Sequence, residues 1–91
     1  MKIEVVHNPD KTFLDSKKVG SWPIWTKEVS DFPWSYDEQE MCYFLEGEVT
    51  VTPDGESGVS IKKGDFVTFP EGMNCTWHIT SPVRKHYKFG V

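Results

Sequence analysis

The chain has 91 residues, enough for one small domain that buries somewhat over ~60% of its unfolded surface. It carries 10 Lys and Arg against 14 Asp and Glu, a formal net charge of −4, which argues against nucleic acid or an anionic membrane as the main partner. No apolar run approaches the ~18–20 residues of a membrane span, and four Trp, six Phe and three Tyr supply the buried area that so short a chain needs.

Along the chain, apolar residues alternate over short stretches between turn dipeptides, with almost no helical periodicity, and this predicts an all-β fold. "KIEVV" reads as a short strand ended by Asn8-Pro9-Asp10. Residues 10–21 are polar and are the one place for a helical turn. "WPIWTKEV" is extended, and 30–32 is read as a bend, because Pro33 biases Phe32 away from helix. "EMCYFLEG" and "EVTVTP" are the strongest strands, with Glu46-Gly47 as a tight corner between them. Asp54-Gly55 marks a hairpin turn. "VSI", "FVTF" and "NCTWHIT" follow, separated by Lys63-Gly64-Asp65 and Pro70-Glu71-Gly72, and Pro82 introduces a last strand, "VRKHYKF". Short strands at this spacing predict a sandwich or barrel.

Period two assigns the faces. Glu40, Cys42 and Phe44 share one face of their strand, with Met41, Tyr43 and Leu45 opposite. Cys75, Trp77 and Ile79 share a face, with Asn74, Thr76 and His78 opposite. Because 40–45 is apolar on both sides, a second cover is expected, from the N-terminal segment or another subunit. A homodimer is expected, because the two-sided strand Met41–Leu45 and the aromatic "WPIW" segment expose too much for a lone small barrel. A carboxylate facing inward at Glu40 needs a charged or hydrogen-bonding partner. In "RKHYK", the row Arg84, His86, Lys88 or the row Lys85, Tyr87 could bring it a cation, or the segment could be a charged, solvated edge strand.

Two stretches carry a family resemblance. "GDFVTFPEG", with Gly64, Pro70 and Gly72, resembles the second cupin motif, and Glu40 followed by six residues and Gly47 resembles the second half of the first. "WPIW" at 22–25, "CYFLEGEV" at 42–49 and "PVRKHY" at 82–87 are similar to stretches of the small single-domain cupins grouped with ureidoglycine aminohydrolase and the ethanolamine-utilisation-type cupins. The resemblance implies one cupin domain over 1–91, a conical antiparallel jelly-roll barrel, with motif one at about 34–47 and motif two at about 64–79. In typical metal-binding cupins three His and a Glu hold the ion. By position those residues become Trp34, Tyr36, Glu40 and Cys75 here, with Ile79 where an Asn usually ends motif two. Indole is no donor and a neutral phenol a poor one, so no metal and no other cofactor is expected.

The expected site is then Trp34, Tyr36, Glu40, Cys75 and Trp77, converging on one cavity. The aromatics would either line a mouth for a flat or carbohydrate-like ligand or fill a small barrel. Glu40, partly desolvated, should have a raised pKa unless a Lys or Arg reaches it. Cys75 as a nucleophile is disfavoured by the neighbouring carboxylate. Cys42 and Cys75 read as buried reduced thiols, and the opening "MKIEVVHNPDKTF" is unlike a signal peptide, so a cytoplasmic protein is expected. The leading functional reading is a binding module for a small organic ligand. The family resemblance implies the alternative, a metal-dependent hydrolase or isomerase acting on a nitrogenous or sugar-like metabolite.

Overall fold

The computed structural model describes residues 2–90. Its strands are β1 (Glu4–His7), β2 (Ile24–Lys27), β3 (Ser30–Ser35), β4 (Glu40–Pro53), β5 (Val59–Lys62), β6 (Asp65–Phe69) and β7 (Asn74–Phe89). A helix α1 (Lys11–Lys17) and a 3-10 turn (Val19–Ser21) stand between β1 and β2, where the polar segment left room for a helical turn. Asp10 caps α1 by accepting from the Phe13 amide at 2.8 Å. The strands form one antiparallel sheet in the order β1-β6-β4-β7-β2, with β5 on β4 and β3 on β7.

Two long strands make the frame. β4 and β7 pair from Glu40↔Phe89 to Pro53↔Cys75, so the expected break at Pro82 does not occur. Nor is Glu46-Gly47 a corner between two strands: it is a bulged stretch inside β4, with register shifts between Phe44 and Val49. Gly47 has φ +103°, and a Cβ there would lie 2.4 Å from the Pro82 carbonyl oxygen. Only glycine lets the two backbones approach so closely in that conformation. Pro82 sits opposite this bulge, at the point where the second neighbour of β7 changes from β3 to β2. A residue without an N–H is tolerated at such a junction.

The bulge also reverses the phase of β4. Glu40, Cys42 and Phe44 face inward before it, and Val49, Val51 and Pro53 after it; one irregular residue exchanges the two faces of a strand. The 30–32 segment, expected as a bend, is instead the start of β3, paired with β7 from Ser30↔Ile79 to Ser35↔Asn74. Available β7 partners outweighed the local turn preference there.

The sheet wraps one interior, filled by Tyr36, Cys42, Phe44, Val49, Val51, Ile61, Val67, Phe69, Met73, Cys75, Trp77, Ile79 and Val83. A second cluster lies outside it: Val19, Trp22 and Phe66, with Phe13, Leu14, Met41 and Tyr43 packed against them. The second cover expected over 40–45 is thus provided by the N-terminal segment of the same chain. Phe13 meets Phe66 edge-on at 5.0 Å.

Candidate functional site

At the end of the interior where β4 begins and β7 finishes, the two strands bring charge inside. Phe44 pairs with Lys85, so Lys85 projects to the same face as Glu40, Cys42 and Phe44. Its side chain and that of Glu40 are each 5% exposed. The Lys85 ammonium lies 3.5 Å from Glu40 Oε2 and 3.1 Å from Cys42 Sγ. Four rings surround it: Trp77 at 4.8 Å, Trp25 at 4.9 Å, and Phe44 and Phe69 at 5.8 Å. A desolvated ammonium over aromatic faces gains ~2 kcal/mol or more, and the carboxylate supplies the countercharge. Among the described residues, no buried side-chain nitrogen or oxygen is left without a hydrogen-bond partner.

This is the partner that Glu40 needed. It comes from the Lys85, Tyr87 row of "RKHYK", and the segment is no edge strand, being flanked by β4 and β2. Burial raises the Glu40 pKa above its ordinary 4.5, with the Lys85 charge working against the rise. Desolvation outweighs the ion pair. Burial likewise pushes the Cys42 thiol up to about 12, against the pull of Lys85, and the Cys75 thiol up to about 11. The Tyr36 hydroxyl is raised too, by burial first and then by the charge of Glu40.

The sequence-predicted residues fall into two groups. Tyr36, Cys75 and Trp77 are each 2% exposed and fill the interior. Tyr36 stacks on Phe69 at 4.9 Å, its hydroxyl accepts from Trp77 Nε1 at 3.3 Å, and Cys75 Sγ points to the Trp34 carbonyl oxygen at 3.6 Å. Trp34 is 43% exposed. With Glu40 it lines a cavity of about 150 Å³ whose other walls are Trp25, Tyr87 and Phe89. Glu40 thus stands where the filled interior meets the open mouth.

Trp25 and Phe89 lie outside every sequence-based expectation for the site, and Lys85 with Tyr87 is only one of the two rows that could have reached Glu40. The signal that finds them is parity: Cys75, Trp77 and Ile79 point inward, and the same odd positions, Val83 and Lys85, continue inward past Pro82. A strand break at Pro82 would interrupt that phase, which is why the sequence alone does not carry it to Lys85.

The metal implied by the cupin resemblance does not fit these residues. The Glu40 carboxylate faces an ammonium, the Tyr36 hydroxyl is held by an indole N–H, Cys75 turns to a backbone carbonyl, and Trp34 offers no donor atom. No group of three His, Cys, Asp or Glu side chains close enough to hold an ion is present among the described residues.

The histidines lie elsewhere. His7 Nδ1 is 2.8 Å from the buried Asp65 carboxylate, His78 contacts Asp31 on the surface, and His86 Nδ1 meets the Trp22 carbonyl oxygen at 2.9 Å on the outer face.

Comparison with known proteins accords with this fold. A DUF861 family protein from Thermotoga maritima superposes with a TM-score of 0.94 at 46% identity, covering 98% of this chain and 100% of that one. A putative ethanolamine utilization protein Q from Salmonella typhimurium LT2 is 26% identical, with a TM-score of 0.66 over 72% of this chain and 53% of that one. An RmlC-like cupin from Shewanella frigidimarina, 15% identical with a TM-score of 0.56 over 72% of this chain and 64% of that one, shares the jelly-roll fold. The chain thus spans about half the length of the ethanolamine utilization protein it resembles. No protein of curated function matches. A family model described as "EutQ-like cupin domain" matches residues 14–87, and the chain belongs to that family of cupins.

Proposed function

We propose that this cupin binds a small, uncharged organic molecule without a metal, in the cavity between Trp25, Trp34, Tyr87 and Phe89, with Glu40 at its wall. One observation carries the reading: the interior position where cupin relatives place a cation-binding Glu is occupied here by a Glu40–Lys85 pair inside an aromatic cage. The pair is internally neutral, so it offers no net attraction to an ion, while four aromatic rings and one carboxylate give stacking surface and a single polar anchor. A cavity of about 150 Å³ matches a ligand of benzene size, since an engineered cavity of ~150 Å³ binds benzene.

Titration with phenol and with a hexose, followed by indole fluorescence, tests this. Saturable binding of either, weakened by Trp34→Ala and unaffected by a chelator, is expected. Reproducible content of one metal ion per chain, abolished by Glu40→Ala, would sink the proposal.

We also propose that residues 1–91 form one cupin domain, that the protein is cytoplasmic, where its two free thiols stay reduced, and that it is a homodimer. The support for the dimer is the exposure of Trp34 and Phe89 beside the cavity and of Ile24 and Val29 on and after β2. Sedimentation equilibrium at micromolar concentration that returned 10.5 kDa would exclude it.

A further inference from the structure

Lys85 has a second property that charge alone does not use: it is a primary amine, buried, and touching a carboxylate. Its neighbours along β7 are Tyr87 and Phe89, both walls of the cavity, and β-strand alternation puts all three on one face. Trp25 lines the cavity and also lies 4.9 Å from the Lys85 nitrogen. Glu40 lines the cavity and also lies 3.5 Å from that nitrogen. The amine therefore stands one layer beneath the cavity floor, behind two of its walls.

We propose that Lys85 captures a small uncharged aldehyde or ketone as a reversible imine, with Glu40 carrying the proton. The proposal rests on the ligand-binding reading of the cavity and names the class of ligand. In the first step the ammonium passes a proton to Glu40 Oε2, and the free amine attacks the carbonyl carbon. A C–N bond forms, and the carbonyl π pair moves to oxygen, which takes a proton from the new C–NH2⁺ centre to give a carbinolamine. Glu40 then returns its proton to the hydroxyl, the C–O bond breaks, water leaves, and the nitrogen lone pair closes a C=N⁺H bond. One ammonium and one carbonyl become one iminium and one water, with Glu40 regenerated as carboxylate.

Each physical requirement of that sequence is met by a group of the protein. A low-dielectric site disfavours stranded charge, and here charge is conserved throughout, one cation before and one after. The iminium inherits the four-ring cage that holds the ammonium. Burial raises the Glu40 pKa, which favours the protonated form that the dehydration step needs. A buried amine is the usual form of Schiff-base lysine. The Cys42 thiol, 3.1 Å from the same nitrogen, stays protonated by burial and does not compete for the carbonyl.

The test uses cyclohexanone as probe and cyclohexanol as its isostere without a carbonyl. The protein is incubated with cyclohexanone and borohydride at about pH 7, where exposed lysines are protonated, and the reduced adduct is mapped by peptide mass. The expected result is an adduct on Lys85 in at least ~tenfold excess over any other lysine, with Glu40→Gln slowing its formation ~100-fold, as loss of a general acid–base does. Cyclohexanol should suppress the adduct. Lys85→Met combined with Glu40→Gln removes both charges together, which a buried pair tolerates better than loss of one, and should give no selective adduct while remaining folded. Adducts spread over the surface lysines with none at Lys85, while indole fluorescence still responds saturably to cyclohexanol, would overturn the imine and leave cavity binding standing. No fluorescence response to either compound, with no Lys85 adduct, would overturn both.

Discussion

At the scale of single residues, the two thiols and the buried ion pair set the chemistry. Burial pushes the Cys42 thiol up to about 12 and the Cys75 thiol up to about 11, from an ordinary 9.0. Neither should react with iodoacetamide in the native protein at neutral pH, and both should react once guanidinium has unfolded it; a native half-time like that of a free thiol would refute this. The raised thiols also give the alkaline limb of stability its sign. A group whose folded pKa is above its unfolded one contributes stability below the unfolded value and loses it as pH rises through the folded value. Stability from Cys42 is therefore lost between pH 9.0 and about 12, and Cys42→Ala should flatten that limb of a stability–pH curve. The same sign holds for Glu40 in acid. Its raised pKa makes the wild type lose stability relative to the Glu40→Gln, Lys85→Met double variant as pH rises above 4.5, and denaturant midpoints measured across that range check the slope.

At the scale of elements, β4 and β7 explain what the sequence discloses and what it hides. Alternation alone places Glu40 with Cys42 and Phe44, and Cys75 with Trp77, on inward faces, and both placements hold. Turn chemistry locates Asp54-Gly55 and the Lys63-Gly64 turn, and the polar 10–21 stretch does contain α1. What stays hidden is long-range: that a Gly47 bulge inside one strand faces Pro82 inside another, so that neither residue ends its strand. The same blindness leaves the choice between the Lys85 row and the Arg84 row open, since the inward phase is legible only once β7 is seen as continuous, and it hides β3, which pairs with β7 over six residues. Gly47→Ala tests the bulge directly. A Cβ 2.4 Å from the Pro82 oxygen, at φ +103°, should cost ~1–3 kcal/mol from backbone strain alone, more with the clash, and urea unfolding measures it. Asp65, 1% exposed, accepts from the Lys62 amide at 3.0 Å; Asp65→Ala, by orphaning that N–H, should cost ~1–3 kcal/mol.

At the scale of the whole molecule, the N-terminal segment and the cavity are one mechanical unit although they lie on opposite sides of the sheet. Trp22 packs outside with Phe66, the Trp22 carbonyl holds His86, and the Pro23 carbonyl accepts from the Tyr87 amide at 3.1 Å. Tyr87 is a wall of the cavity. Deleting residues 2–23 should therefore weaken ligand binding as well as stability, and a truncated protein that still bound phenol with wild-type affinity would break the link. The cage around Lys85 has a different reach. Its positive charge is built into the polypeptide at synthesis, present in every copy and at a fixed place. No loading step, carrier or external supply decides how many molecules possess it, and no competing ion can take its seat.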